Sequence, residues 1–148
     1  MRGFYAALAV FLLGVDQYTK YLARFWGEDI IEWTSWARWR LVYNEGIAFS
    51  LPASRWLIVA LAVGVSAWLI KTIFEQNKYS CTQKVFFVCV LSGAVGNAID
   101  RALFGKVTDM LSFWNFAIFN FADVWISVGV VGLIAWDIFK VNDIARTE

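Results

Sequence analysis

Residues 93–123 read GAVGNAIDRALFGKVTDMLSFWNFAIFNFAD. Asp100, Asp109 and Asp123 stand in this stretch with Asn97, Asn120 and Arg101, inside or at the edge of sequence apolar enough for lipid. An ionisable group at the centre of a membrane helix is disfavoured by roughly 2.5 to 3.5 kcal/mol, so carboxylates gathered this closely should face protein or water and mark a functional place. The surrounding composition is that of a membrane protein: 60% of the 148 residues are hydrophobic, against roughly 45 to 50% in soluble proteins.

Outward from that stretch the chain divides into spans and surface segments. Gly93, Asn97, Asp100 and Arg101 recur at helical spacing and share one face of a third span over 84–104. The small residues Gly93, Ala94, Gly96 and Ala98 let that half pack closely against other helices. Residues 105–119 leave the membrane pattern in a short turn, Lys106-Val107-Thr108-Asp109, and an aromatic return through Phe113, Trp114 and Phe116. A fourth span follows over 120–140, with Asn120 and Asp123 together at its start.

Toward the N-terminus, 55–75 is a plain second span, joined to the third by a short polar loop that makes the two antiparallel neighbours. Phe4 to Phe25 is the first; at about 1.5 Å per residue it reaches roughly 33 Å, enough for the hydrocarbon core. Arg2 and the apolar run after it also fit a signal peptide. No small-x-small site precedes a soluble domain, so an uncleaved anchor is expected. Asp16 and Lys20 are four residues apart on this helix and can pair, either as a structural ion pair or as part of a site.

Residues 26–54 carry Glu28, Asp29, Glu32, Trp33, Trp36 and Trp39, and then Arg40 to Asn44, whose β-branched and aromatic content reads as a strand. Asn44-Glu45-Gly46 supplies turn chemistry, and the tryptophans suit the headgroup level of a bilayer. The expected fold is an all-α membrane protein of four transmembrane helices, with a small extramembrane β-rich cradle between helices 1 and 2, all in one domain over 1–148. Both termini then lie on one side. The loops 26–54 and 105–119 and the polar ends of helices 1, 3 and 4 meet on the other. Lys and Arg occur on both sides, so charge does not choose the orientation.

Some chemistry is excluded. The chain has no histidine, hence no imidazole base, no Ser-His or Cys-His nucleophile pair and no histidine metal ligand. Cys81 and Cys89 match no metal or redox spacing. With a net charge of +1 and no basic tract, no nucleic-acid partner is indicated. No metal or organic cofactor is expected.

Asp109 stands just outside the third span and Asp123 just inside the fourth, and the return between them could bring them face to face. Two carboxylates sharing a site cannot both ionise easily, and such a pair titrates as a unit able to act as acid and base on water and a peptide carbonyl. Spacing alone leaves other readings open: a carboxylate ion site or proton path, a scaffold for membrane partners, or a Ser-Lys hydrolase using Ser50 or Ser112 with Lys20. A transport path predicts polar residues spread across the membrane, whereas here they gather at one end.

Five blocks carry a further signal: Asp16-Gln17-Tyr18-Thr19-Lys20, Asn44-Glu45-Gly46-Ile47-Ala48-Phe49, Gly93-Ala94-Val95-Gly96-Asn97-Ala98-Ile99-Asp100-Arg101, Val107-Thr108-Asp109 and Phe119-Asn120-Phe121-Ala122-Asp123. In order and position they resemble the bacterial lipoprotein signal peptidase (signal peptidase II) family over the whole chain. The resemblance implies an aspartyl endopeptidase of the bacterial inner membrane, a multi-pass protein that removes the signal peptide from diacylglyceryl-modified prolipoprotein just before the lipidated cysteine.

It implies Asp109 and Asp123 as the catalytic pair, with Asp16, Lys20, Asn44, Gly46, Gly93, Asn97, Asp100, Arg101, Asn120 and Ala122 lining or supporting the site. Within that set Asn97, Arg101 and Asn120 would position substrate or the aspartates, Asp100 would support Arg101, and Asn44 would contact substrate backbone. It also implies cytoplasmic termini, a site near the periplasmic surface, membrane lipid as a partner and no cofactor. Every polar face is accounted for within one chain, so a monomer is expected. Ile47 and Met110 depart from the residues usual at their positions, which bears only on the shape of the pocket wall.

Overall fold

Each long apolar run folds as a helix, because only a helix satisfies every backbone polar group within its own segment in lipid. A computed structural model describes residues 1–27, 31–45, 54–75, 77–114 and 117–145. The elements are α1 (Arg2–Trp26), β1 (Ile31–Thr34), β2 (Ala37–Asn44), α2 (Arg55–Phe74), α3 (Cys81–Phe104), β3 (Val107–Phe113) and α4 (Phe121–Ala145). Three of the helices, α2, α3 and α4 over Phe121–Phe139, are long and apolar enough to cross a membrane. The polar residues of α1 lower its apolarity, yet Asp16 and Lys20 are fully buried while Phe4, Val10, Phe11, Tyr18, Tyr21 and Phe25 are exposed. That outward face is one that lipid can cover, and the charges face protein.

The third helix begins at Cys81, before the expected 84, because Ser80 and Gln83 form a reciprocal capping box that starts it. It is the central helix, packed against α1, α2 and α4. Gly93 makes the α4 contact possible: a Cβ there would collide with the Ala122 carbonyl oxygen and Ile126. A Cβ at Gly96 would strike the Asp16 carboxylate, so α1, α3 and α4 converge at this level. Away from the sheet the bundle closes around Tyr5, Leu12, Leu69, Ile73, Phe87 and Val88.

The sheet is antiparallel in the order β1-β2-β3. The expected cradle between helices 1 and 2 is there in β1 and β2, and its third strand corrects the sequence reading in one respect. Residues 107–113, whose first part the sequence reads as a turn, form a strand supplied from between α3 and α4; Phe116 of the expected aromatic return lies outside the described residues. Val107 to Ser112 are buried throughout, so the strand lacks the in-out alternation that announces a half-exposed one. β3 pairs with β2 through Ala37↔Phe113, Trp39↔Leu111, Val42↔Asp109 and Asn44↔Val107, with a bulge between Trp39 and Val42. Gly105, in the left-handed conformation at φ 75°, ends α3 and turns the chain into β3. An isolated bridge between Leu111 and Phe119 then returns the chain along the free edge of β3, so that Asn120 follows beside Met110 and Asp109.

Candidate active site

The start of α4 holds the site together. Asn120 is its N-cap: Asn120 Oδ1 accepts the Asp123 N–H at 3.0 Å, and Asp123 Oδ2 accepts the Asn120 N–H at 3.3 Å. This is the reciprocal geometry of a capping box, built from Asn and Asp. The next N–H in the first turn, that of Ala122, donates to Asp16 Oδ1 at 2.8 Å. A residue of α1 therefore caps α4. Ala122 must be small and is fully buried, since Gly93 and Gly96 approach it from α3.

Those bonds fix the amide orientations. A backbone N–H can only donate, so Asn120 turns its oxygen toward Asp123 and its Nδ2 away. That Nδ2 donates to Asp109 Oδ1 at 2.6 Å and to Asn97 Oδ1 at 3.1 Å. Lys20 Nζ, also donor only, reaches Asn97 Oδ1 at 2.9 Å, which leaves Asn97 Nδ2 to donate to Asp123 Oδ1 at 2.8 Å. Two asparagines thus hold both carboxylates in one network, and Asn44, diagonal to Asp109 across β2 and β3, adds a side-chain hydrogen bond to Asp109.

Lys20 is fully buried and needs its anions. Asp16 Oδ2 lies 3.0 Å and Asp100 Oδ2 3.8 Å from its ammonium. Gln17 Nε2 donates to the same Asp16 oxygen at 3.0 Å and to the Gly96 carbonyl at 3.1 Å. Asp100, expected to support Arg101, accepts the Thr108 N–H at 2.8 Å and faces Arg24 at 3.4 Å. Arg101 lies within electrostatic reach of Asp123, Asp109 and Asp100.

Asp109 is almost wholly buried, and Asp123 is partly exposed. Burial first, and the negative charge of Asp123 second, push the Asp109 carboxyl up to about 7, against the bonds from Asn120 and Asn44 and the charge of Lys20. Asp109 is therefore poised to hold a proton near neutrality. Both oxygens of Asp123 accept hydrogen bonds, Oδ1 from Asn97 and Oδ2 from the Asn120 N–H. One buried acid and one more open base, linked through Asn120, can activate a water and protonate a carbonyl oxygen.

The structure brings Asp16, Lys20, Asn44, Gly93, Asn97, Asp100, Arg101, Asp109, Asn120, Ala122 and Asp123 to the sheet end of the bundle. Gly46 and Ser50 lie outside the described residues. Three contributors escaped the sequence reading of the site: Gln17, Arg24 and Thr108. Arg24 had a legible signal, since Asp16, Lys20 and Arg24 follow at intervals of four on α1 and share one face.

A family profile described as Signal peptidase (SPase) II matches residues 8–140. A lipoprotein signal peptidase of Fusobacterium nucleatum is 38% identical over 143 residues, covering 91% of this chain and 86% of the relative. Another, from Hydrogenovibrio crunogenus, is 40% identical over 139 residues, covering 86% and 80%. Among solved structures, a bacterial membrane enzyme determined by the in meso method at 2.3 Å resolution superposes with a TM-score of 0.86 at 25% identity. That match covers 99% of this chain and 92% of the other.

Proposed function

Because this chain belongs to the signal peptidase II family of aspartic peptidases, we propose that it cleaves diacylglyceryl-modified prolipoproteins immediately before the lipidated cysteine, with Asp109 and Asp123 activating water. The observation that carries the reading is the convergence on Asn120, which bonds Asp109 through its side chain and forms the capping box with Asp123.

Asp123, the more open carboxylate, takes a proton from water as the water oxygen attacks the carbonyl carbon of the residue before the cysteine. Asp109, holding a proton, donates it to the carbonyl oxygen. In collapse of the resulting gem-diol, Asp123 passes its proton to the departing cysteine nitrogen, and Asp109 recovers one from a gem-diol hydroxyl. The pair returns to its starting state without a covalent intermediate. Asn97 and Asn120 hold the two carboxylates, and the charge of Arg101 stands beside them.

The rest of the reading places the chain as a single domain and a monomer in the bacterial inner membrane, termini cytoplasmic, with the sheet over the site at the periplasmic surface. The substrate's acyl chains can then stay in membrane lipid while its peptide reaches the pair laterally. A Ser-Lys pair has little to support it, because Lys20 is committed to Asp16, Asn97 and Asp100. A proton path meets the apolar cluster that closes the other half of the bundle.

The test is reconstitution of the purified protein in vesicles with one prolipoprotein in two forms, diacylglyceryl-modified and unmodified. Mass analysis should find a new N-terminus at the lipidated cysteine, and only for the modified form. Equal cleavage of both would remove the lipid requirement, and cleavage of neither would remove the proposed activity.

A further inference from the structure

The strand that carries Asp109 is anchored one residue before it. The Thr108 N–H donates to Asp100 Oδ2 at 2.8 Å, and the Thr108 hydroxyl accepts from Arg24 Nη1 at 2.9 Å. The same Nη1 lies 3.4 Å from Asp100 Oδ1. Asp100 and Thr108 are buried, the Arg24 side chain is 23% exposed, and its guanidinium lies over the Phe104 ring at 4.6 Å. Three elements, the end of α1, the last turns of α3 and the start of β3, thus meet at one guanidinium and one carboxylate.

We infer that Arg24 is a positioning residue for the peptidase reaction: by clamping Thr108 and Asp100 together it sets where β3 begins, and so where the Asp109 carboxyl stands relative to Asn120 and Asp123. The inference rests on the dyad reading above and extends it to a side chain bonded to Thr108, the neighbour of Asp109.

The geometry explains why the clamp is needed. Between Phe104, the end of α3, and Val107, the start of β3, only Gly105 and Lys106 intervene, and Gly105 turns the chain in a left-handed conformation. A two-residue connection leaves the strand a short lever about α3. Asp109 is on that lever, whereas Asn97 is on α3 and Asp123 on α4. The bond of 2.6 Å from Asn120 to Asp109 is the one that a shift of β3 stretches first. Arginine suits the task because the two N–H groups of Nη1 have fixed directions and meet a hydroxyl and a carboxylate together, whereas an ammonium would act as a point charge. The Phe104 ring beneath the guanidinium adds a cation–π contact that holds it in place.

The test compares wild type, Arg24→Met, Arg24→Lys, Thr108→Val and the Arg24→Met/Thr108→Val double variant in steady-state cleavage of a diacylglyceryl-modified prolipoprotein across pH. Methionine keeps volume and removes the fork; valine removes the hydroxyl and leaves the backbone bond to Asp100. A misplaced reacting group can cost up to about 100-fold, so Arg24→Met should lower kcat roughly 10- to 100-fold and leave KM within about twofold. Lysine should recover part of the loss, and Thr108→Val should lose less than Arg24→Met.

The double variant should be no worse than about twofold below Arg24→Met, since both changes break the same bond. The basic limb of the pH profile should also move, because the surroundings of Asp109 change. Unchanged kcat, a loss confined to KM, an unmoved limb, or losses that multiply in the double variant would each overturn the inference. If Arg24→Met fails to accumulate folded, Thr108→Val decides by the same kcat and pH readouts. An active Asp109→Asn enzyme would overturn the dyad reading itself. Inactive Asp109→Asn with a normal Arg24→Met would overturn only the clamp.

Discussion

Replacing Asp16 with alanine removes an anion from the most charge-dense part of the interior. Two losses follow from the geometry. The Ala122 N–H at the start of α4 loses its acceptor at 2.8 Å, a capping loss of about 1 kcal/mol. Lys20, fully buried, loses its partner at 3.0 Å and keeps Asp100 at 3.8 Å and the Asn97 oxygen. Removing one member of a buried pair typically costs about 3 to 5 kcal/mol, because an uncompensated charge is left behind. The remaining partners of Lys20 place this case at the low end, so Asp16→Ala should be destabilised by about 4 kcal/mol in all. Adding Lys20→Met should return roughly half of that, since the stranded charge is gone and only the cap and some packing stay lost. Activity should not return, because Asn97 no longer has the ammonium that turns its Nδ2 toward Asp123. Reversible unfolding in detergent, followed by tryptophan fluorescence, measures the first two effects and cleavage of a lipid-modified prolipoprotein the third. A double variant no more stable than Asp16→Ala, or one that is fully active, would refute the reasoning.

Three other outcomes are expected. Asn120→Ala removes the bonds to Asp109 and Asn97 and half of the capping box; kcat should fall by roughly 100-fold, about 2.7 kcal/mol of transition-state stabilisation, with KM little changed. Gly93→Ala puts a methyl group against the Ala122 carbonyl and Ile126; thermal unfolding should show a loss of about 1 to 3 kcal/mol from separating α3 and α4. With its carboxyl at about 7 against an ordinary 3.8, Asp109 binds a proton in the folded protein across a window in which the unfolded chain has released it. Its contribution to stability is thus fully present below about pH 4, declines as pH rises to about 7 and is flat beyond. That decline, at most roughly 4 kcal/mol, should be absent from Asp109→Asn in pH-dependent denaturation. The rate of cleavage should fall with a basic limb near pH 7.

The helices were legible because a span in lipid needs about 20 apolar residues, and no other kind of element produces such runs. Even α1 could be read, with its charges spaced to share a buried face. β3 was not legible: buried on both faces, it has no alternation, and its partner β2 lies far away in sequence. β1 has only Ile31–Thr34, all exposed, and is too short to show a pattern. The two aspartates could be singled out because carboxylates at the edge of lipid are costly and their blocks are specific. Asn97 and Asn120, which join them, were implied by the resemblance; the bonds that orient those two amides were not legible. The Asp16 bond to Ala122 and the Lys20 bond to Asn97 cross from one helix to another, and spacing along a chain carries no information on which faces of different helices meet. Asp100 shows the limit most plainly: its electrostatic contact with Arg101, one residue on, could be anticipated, while its bonds to Thr108 and Arg24 cross the fold.

The measurement closest to the central claim is cleavage of a diacylglyceryl-modified prolipoprotein by wild type, Asp109→Asn and Asp123→Asn, each reconstituted in lipid and checked for folding by circular dichroism. The account predicts that wild type releases the signal peptide and that both variants, folded, are slower by at least about 1,000-fold, the scale of losing a group that moves the reacting proton. Folded variants that cleave at the wild-type rate would place the chemistry on other residues and contradict the account.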